Sequence, residues 1–189
     1  MEENQVKKLV LIGGSAGSLE VLMHVLPELS TGLAFPIVIV LHRKHSDDLT
    51  LEELIAMKTL VPVKEVEDKT VMTNGAIYIV PSDYHLLFEK DGTLALDASE
   101  KVNYSRPSID VVFESAADAF GPSVIAILLS GSNADGAFGC SRIKENGGTI
   151  IIQDPKSAGM SYMPSSAIQM VEPDMVVDMD EIASVINRI

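Results

Sequence analysis

A serine flanked by small residues follows a short apolar run near the start of the chain. Residues 9–12 read Leu-Val-Leu-Ile, and positions 13–17 read Gly-Gly-Ser-Ala-Gly, a Gly-x-Ser-x-Gly pentapeptide centred on Ser15. A strand that turns sharply into a helix exposes such a serine beside the free N–H groups of the helix. This geometry suits a nucleophile in ester hydrolysis. Small residues also fill the first turn of many α/β sheets, so the pentapeptide alone leaves a structural role open.

A nucleophilic serine needs a base, and the chain contains four histidines. His42 directly follows the β-branched run at 37–41, which places it at the end of a second buried strand. His24 lies in a helical pattern, His45 in a polar turn and His85 at the start of a hairpin pattern. His42 is therefore the preferred base, although a histidine at a strand end can also serve backbone hydrogen bonding alone.

The third member of such a site is an acid that orients the base. Asp135 follows the most apolar strand of the chain, residues 123–129, and lies in a turn between Gly131 and Gly136. The glycines allow the backbone to pass close to a substrate. Asp135 can equally begin a helix, and spacing alone does not decide between it and other acids. The competing acids are Asp83, Asp110 and Asp154.

Other kinds of site have weaker support in the sequence. His42 and His45 have no third metal ligand at a suitable spacing, so we expect no metal and no other cofactor. The Gly-rich turn has neither the Gly-x-Gly-x-x-Gly spacing of dinucleotide sites nor the lysine of a phosphate loop. Cys140 is the single cysteine, and we expect it to be a small buried residue in a reducing, cytoplasmic setting.

The elements that position these residues alternate between strands and helices. Such alternation predicts an α/β fold, a doubly wound and mostly parallel sheet with helices on both faces. Residues 85–96 add one antiparallel hairpin, and Pro107 is expected in the first turn of a helix that ends near residue 119. Asp47 and Asp48 are expected to begin another helix, which ends near Met57.

In doubly wound parallel sheets, ligands bind at the carboxyl ends of the strands. We therefore expect Ser15, His42 and Asp135 to converge there within hydrogen-bonding distance.

Composition excludes several classes of partner. The 189 residues carry a formal net charge of −13 without any cluster of Lys and Arg, which argues against binding nucleic acid or an anionic membrane surface. The longest apolar run, residues 33–41, contains Pro36 and is too short to cross a bilayer. The acidic N-terminus does not resemble a secretory signal. We expect one domain over residues 1–189 and a monomer.

Several ordered motifs together make the family recognisable. The chain resembles the catalytic domain of the chemotaxis receptor methylesterases, the CheB protein-glutamate methylesterase family, from about residue 10 to residue 185. The matching segments are residues 12–17, 41–42, 78–81, 106–111 and 129–137, followed by Met163-Pro164 and Ala167-Ile168. The resemblance implies a catalytic Ser15, His42 and Asp135. The order Ser, His, Asp differs from the Ser, Asp, His order of α/β-hydrolases.

The resemblance also implies the reaction and its partners. Family members hydrolyse glutamate γ-methyl esters on the signalling helices of methylated chemotaxis receptors, and often deamidate receptor glutamines. The backbone N–H of Ala16 and a second donor from the Gly131-Ser132 turn are candidate oxyanion donors. Arg106 is expected to border the cleft, where its guanidinium suits acidic or amide groups of a receptor helix.

The chain departs from the family pattern in three places. Ala16-Gly17-Ser18 replaces the usual Thr-Gly-Gly, and Gly131-Ser132-Asn133 replaces the usual Gly-Met-Gly. Only a few residues precede the first strand, so control by an N-terminal receiver domain is not expected of this chain. The altered loops leave an alternative open, a weakly active or inactive module that keeps the fold and binds the receptor or the methyltransferase.

Overall fold

The computed structural model describes residues 7–43 and 50–189. In chain order, the strands are β1 (Leu9–Gly14), β2 (Ile37–Leu41), β3 (Val63–Glu65), β4 (Thr70–Val71), β5 (Ile77–Ile79), β6 (His85–Phe88), β7 (Thr93–Asp97), β8 (Val124–Leu128), β9 (Thr149–Gln153) and β10 (Met175–Val177). The helices are α1 (Ser18–Val25), α2 (Leu51–Ala56), α3 (Ile109–Phe120), α4 (Ala137–Glu145), α5 (Tyr162–Met170) and α6 (Ile182–Asn187).

Seven strands form a parallel sheet in the order β10-β9-β8-β1-β2-β5-β3. The central strands β1, β2 and β8 are continuous apolar runs because helices cover both of their faces. Successive side chains of β1 point to opposite faces, so Leu9 and Leu11 belong to one core and Val10 and Ile12 to the other. The prediction of a doubly wound parallel sheet is confirmed.

The antiparallel part is larger than the predicted hairpin. Strands β6 and β7 pair as expected, and β4 adds a third strand on the outer side of β7. This small sheet packs on the same face of the parallel sheet as α3. The Phe88 backbone N–H donates to Ser115 Oγ of α3 at 2.9 Å. The small sheet therefore fixes the chain that leads from β7 into α3.

Two helix starts differ from the sequence-based prediction. Helix α3 begins at Ile109 rather than at Pro107, because Ser108 is the N-cap and its hydroxyl accepts from the Val111 N–H. Helix α2 begins at Leu51, with Thr50 as its N-cap. The predicted helix start at residues 47–48, and the predicted turn at residue 45, lie outside the described residues.

Within residues 7–43 and 50–189, no helix is both long and apolar enough to span a bilayer.

Candidate active site

Three predicted site residues follow neighbouring strands of the sheet. Strand β1 lies between β8 and β2, so the turns after these strands meet at one edge. The His42 N–H donates to the Gly14 carbonyl at 3.1 Å, and the Ser15 N–H donates to the Ser130 carbonyl at 2.9 Å. Ser15 is thereby placed between the segment that carries His42 and the segment that leads to Asp135.

The turn around Ser15 requires small residues. Gly17 has a φ of 83° and is the N-cap of α1, and a Cβ there would lie 2.6 Å from Ser130 Oγ. A Cβ on Gly14 would lie 2.5 Å from the Ser18 Cβ. The backbone therefore turns close to its neighbours and leaves Ser15 half-buried at the surface, next to the exposed Ala16.

His42 and Asp135 form a direct pair. His42 Nε2 lies 2.6 Å from Asp135 Oδ2, with the His42 side chain 11% exposed and the Asp135 side chain fully buried. Because an ionised carboxylate only accepts hydrogen bonds, Nε2 carries the proton and Nδ1 is the nitrogen left to act as a base. In the part of the chain that the structure describes, neither His42 Nδ1 nor Ser15 Oγ has a hydrogen-bond partner. The Ser15–His42 hydrogen bond expected from the sequence is thus not among the contacts of the described residues.

Asp135 is surrounded by hydrogen-bond donors. Besides His42, it accepts from the Ile109 N–H at 2.6 Å and from the Asp110 N–H at 3.1 Å. Ser108 Oγ and Asn103 Nδ2 each donate to it at 2.8 Å. Burial alone would raise the pKa of Asp135, but the donors, led by His42, outweigh it and hold that pKa below its ordinary value. Asp135 therefore stays ionised beside His42 at neutral pH.

A second buried carboxylate, Asp110, lies next to Asp135. It accepts from the N–H groups of Gly136 at 2.9 Å and Gly139 at 2.7 Å, and from Asn103 Nδ2 at 2.8 Å. Burial, together with the negative charge of Asp135, raises the pKa of Asp110 to about 6. Asp110 was one of the competing acids in the sequence, and in the structure it supports the Asp135 turn without a contact to His42.

The candidate oxyanion donors differ in their availability. The Gly131 N–H donates to the Met160 carbonyl at 3.0 Å and is therefore already used. Across residues 7–43 and 50–189, the N–H groups of Ala16 and Ser132 have no protein acceptor. Gly131 contributes through its size instead, since a Cβ there would lie 2.5 Å from the Met163 Cε.

Sequence reasoning missed the residues that connect the two turns of the site. The fully buried Ser130 donates from Oγ to the Ala16 carbonyl at 2.7 Å, and its N–H donates to Gln153 Oε1 at 2.9 Å. The Asn133 side chain accepts from the Asp135 N–H at 3.1 Å. The Ser130 contacts join strand ends that are distant in sequence, so no local motif could have indicated them. The Asn133 contact is local to the turn that carries Asp135.

Arg106 lies at the expected cleft, and its guanidinium is already engaged. A cleft of about 590 Å³ opens beside His42. Its lining residues are His42, Arg43, Asp83, Lys101, Tyr104, Ser105, Arg106 and Pro107. Arg106 Nη1 donates to the carbonyls of Ala98 at 3.0 Å and Ser99 at 2.8 Å. Arg106 thus fixes the chain after β7 at the cleft rim.

The remaining candidates lie in structural positions. His85 is fully buried, with Nε2 against the Glu100 carbonyl at 2.9 Å and Nδ1 accepting from the Ser108 N–H at 3.1 Å. His24 pairs with Asp180 at the surface, at 2.9 Å. Cys140 is buried and burial raises the pKa of its thiol, so it is a packing residue. Among the described residues, no group of three His, Cys, Asp or Glu side chains is arranged around a metal site.

Comparison with known proteins supports the resemblance noted above. A family model described as CheB methylesterase matches residues 10–186. The crystal structure of the Thermotoga maritima CheB methylesterase catalytic domain superposes with a TM-score of 0.90 and 32% identity, covering 96% of this chain and 97% of that chain.

Curated relatives carry matching names. A protein of Leptospira interrogans, named for protein-glutamate methylesterase and protein-glutamine glutaminase activities, is 40% identical over 95% of this chain and 93% of its own length. A Methanosarcina mazei protein-glutamate methylesterase/protein-glutamine glutaminase is 30% identical over 100% of this chain and 53% of its own length. The chain therefore spans nearly all of one relative and about half of the other. It belongs to the CheB methylesterase family and is an enzyme of the methylesterase class.

Proposed function

We propose that the chain hydrolyses glutamate γ-methyl esters on methylated chemotaxis receptors, in adaptation of chemotactic signalling in the cytoplasm, with Ser15, His42 and Asp135 as its catalytic residues. The observation that carries this proposal is the 2.6 Å pair between His42 Nε2 and Asp135 Oδ2 beside the Ser15 turn. That pair sets the tautomer of His42 and directs the basic Nδ1 away from the carboxylate. A fold kept only for binding would not need it.

The reaction follows from these atoms. His42 Nδ1 takes the proton of Ser15 Oγ as that oxygen attacks the ester carbonyl, and the imidazolium is stabilised by Asp135. The N–H groups of Ala16 and Ser132 donate to the oxyanion. The tetrahedral intermediate collapses, the C–O bond to methanol breaks, and His42 returns the proton to the leaving oxygen. Water, deprotonated by His42, then cleaves the acyl-enzyme and leaves a free glutamate and Ser15.

Glutamine deamidation uses the same steps with a different leaving group. The named relatives combine esterase and glutaminase activities, which favours this second reaction for the chain as well. Attack of Ser15 on a side-chain amide would release ammonia, with the leaving nitrogen protonated by His42. Hydrolysis of the acyl-enzyme then yields glutamate in both cases.

The test is methanol release from methylated receptor by the wild type and by Ser15→Ala. We expect the substitution to lower kcat by about four to six orders of magnitude, because members of a catalytic triad act as a unit. Ser30→Ala, at an exposed serine in the loop after α1, is the matched control and keeps full activity. A wild type that binds receptor but releases no more methanol than Ser15→Ala would instead identify an interaction module.

A further inference from the structure

A carboxamide connects the two buried carboxylates of the site. Asn103 Nδ2 lies 2.8 Å from Asp110 Oδ2 and 2.8 Å from Asp135 Oδ1. A primary amide has two N–H donors, so each carboxylate receives one of them. The reverse orientation would place the amide oxygen against two acceptors, which fixes Nδ2 as the atom between them.

The backbone brings this side chain to the site through a tight turn. Val102 and Ser105 exchange two backbone hydrogen bonds, at 3.1 and 2.9 Å, and the residues between them have φ values of 53° for Asn103 and 62° for Tyr104. Asparagine is the side chain that tolerates such a conformation best, so preference for the turn is a competing reason for its presence. The turn preference does not require the amide to contact both carboxylates.

We propose that Asn103 is a positioning residue for the ester hydrolysis, and that by donating to Asp110 and Asp135 together it keeps the Asp135 carboxylate directed at His42. The proposal rests on the proposed function in taking Asp135 as the acid of that reaction. Asn103 itself lies at the surface, so its replacement leaves no cavity in the core. Its substitution therefore tests the hydrogen bonds rather than packing.

Without Asn103, the two carboxylates lose their shared donor. Hydrogen bonds to an ionised carboxylate favour the ionised form, so their loss raises the pKa values of the pair. The first proton enters on Asp110, the carboxylate with the raised pKa. Asp135 stays ionised but has one donor fewer to hold its carboxylate against His42. The other titratable or charged groups around the cluster are His42 after β2, His85 on β6, Cys140 on α4, and Lys101 and Arg106 on the same segment as Asn103.

Two variants separate the amide from the turn. Asn103→Gly keeps a residue that adopts positive φ and removes the donors, and Asn103→Asp keeps the size and turn preference but replaces the amide with an acceptor. We expect both to lower kcat at pH 8 by about tenfold, the effect of losing hydrogen bonds to a charged group, with KM changed less than about twofold. Asn74→Gly, at an exposed turn before β5, is the control and stays at wild-type activity.

A readout independent of turnover keeps the two proposals distinguishable. The proton on His42 Nε2, hydrogen-bonded to Asp135, is followed by NMR from pH 8 to pH 6 in the full chain. We expect a sharp resonance in the wild type and one broadened by exchange with solvent in Asn103→Gly, because the Asp135 carboxylate is held less firmly against His42. A wild type without esterase activity but with this difference would refute the proposed function alone. Wild-type kcat in Asn103→Asp, or an unchanged His42 Nε2 resonance in Asn103→Gly, would overturn the role of Asn103.

Discussion

At the scale of single residues, Asp135 differs from the competing acids Asp110 and Asp154 in what it contacts. Asp110 also contacts the turn that carries Asp135, but its oxygens accept from two glycine N–H groups and from Asn103. Asp154 accepts from the Lys156 N–H in a tight turn. Of these carboxylates, Asp135 alone accepts from the His42 ring, so position relative to His42 decides between acids that the sequence leaves equivalent.

This contact predicts a severe effect of Asp135→Asn. The substitution replaces one carboxylate oxygen with an NH₂ group. Whichever way the side chain is turned, this NH₂ donor meets an N–H or O–H donor, such as the Ile109 N–H or Ser108 Oγ, where an acceptor is needed. His42 would then adopt the wrong tautomer to accept the Ser15 proton, and we expect kcat to fall by about 10³- to 10⁴-fold. The measurement is methanol release at pH 7.5.

Asp91→Asn is the matched control for this change. Asp91 lies in the exposed turn of the β6–β7 hairpin, where asparagine before glycine is equally suitable. It should show wild-type kinetics. A fall of less than about tenfold in Asp135→Asn would contradict the role of the carboxylate in setting the His42 tautomer.

At the scale of elements, the start of α4 determines where Asp135 lies. Gly136 is the N-cap of α4 with a φ of 96°, and a Cβ there would lie 2.7 Å from the Leu128 Cδ1 and 3.0 Å from the Ile109 Cγ2. Gly32 has a similar φ of 77° but nothing within 4 Å. Substitution of either glycine would therefore strain the backbone. Only at Gly136 would the new Cβ also meet neighbouring side chains.

We expect Gly136→Ala to lower the free energy of unfolding more than Gly32→Ala. Gly32→Ala should cost about 1 kcal/mol from positive φ alone, and Gly136→Ala about 1–3 kcal/mol more from overpacking against Leu128 and Ile109. Urea unfolding of both variants measures the difference. Esterase activity should fall only in Gly136→Ala, because only that change moves the neighbouring Asp135. Equal losses of stability would show that packing at the start of α4 is loose.

The length and burial of each element determine whether the sequence could predict it. The central strands and the placement of Ser15 and His42 at strand ends follow from continuous apolar runs that each end in a polar turn. Strand β10 was missed because it is three residues long and its Met175 and Val176 are exposed at the sheet edge. The Asn103 bridge was missed because it depends on Asp135, 32 residues further along the chain, lying beside Asn103, which no local pattern encodes.

At the scale of the whole molecule, two buried carboxylates affect stability in opposite directions and in different pH ranges. Because folding lowers the pKa of Asp135, its ionised carboxylate stabilises the folded state at any pH above the ordinary aspartate pKa. This stability is lost as the pH falls through the lowered pKa. The pKa of Asp110 is raised from 3.8 to about 6, so the folded state binds its proton more tightly than the unfolded state. Its contribution is fully present below about pH 4 and is lost as the pH rises through 6.

The free energy of unfolding should therefore fall between pH 4.5 and pH 7.5 by an amount that depends on Asp110. A rise from 3.8 to about 6 corresponds to about 3 kcal/mol over the full range. The formal net charge of −13 adds its own pH-dependent repulsion, so the wild type alone does not isolate this group. Asp110→Asn, which cannot titrate, provides the reference. Urea unfolding at several pH values should show the stability advantage of the wild type over Asp110→Asn shrinking as the pH rises, whereas parallel curves would mean that Asp110 titrates in the folded state as it does in the unfolded chain.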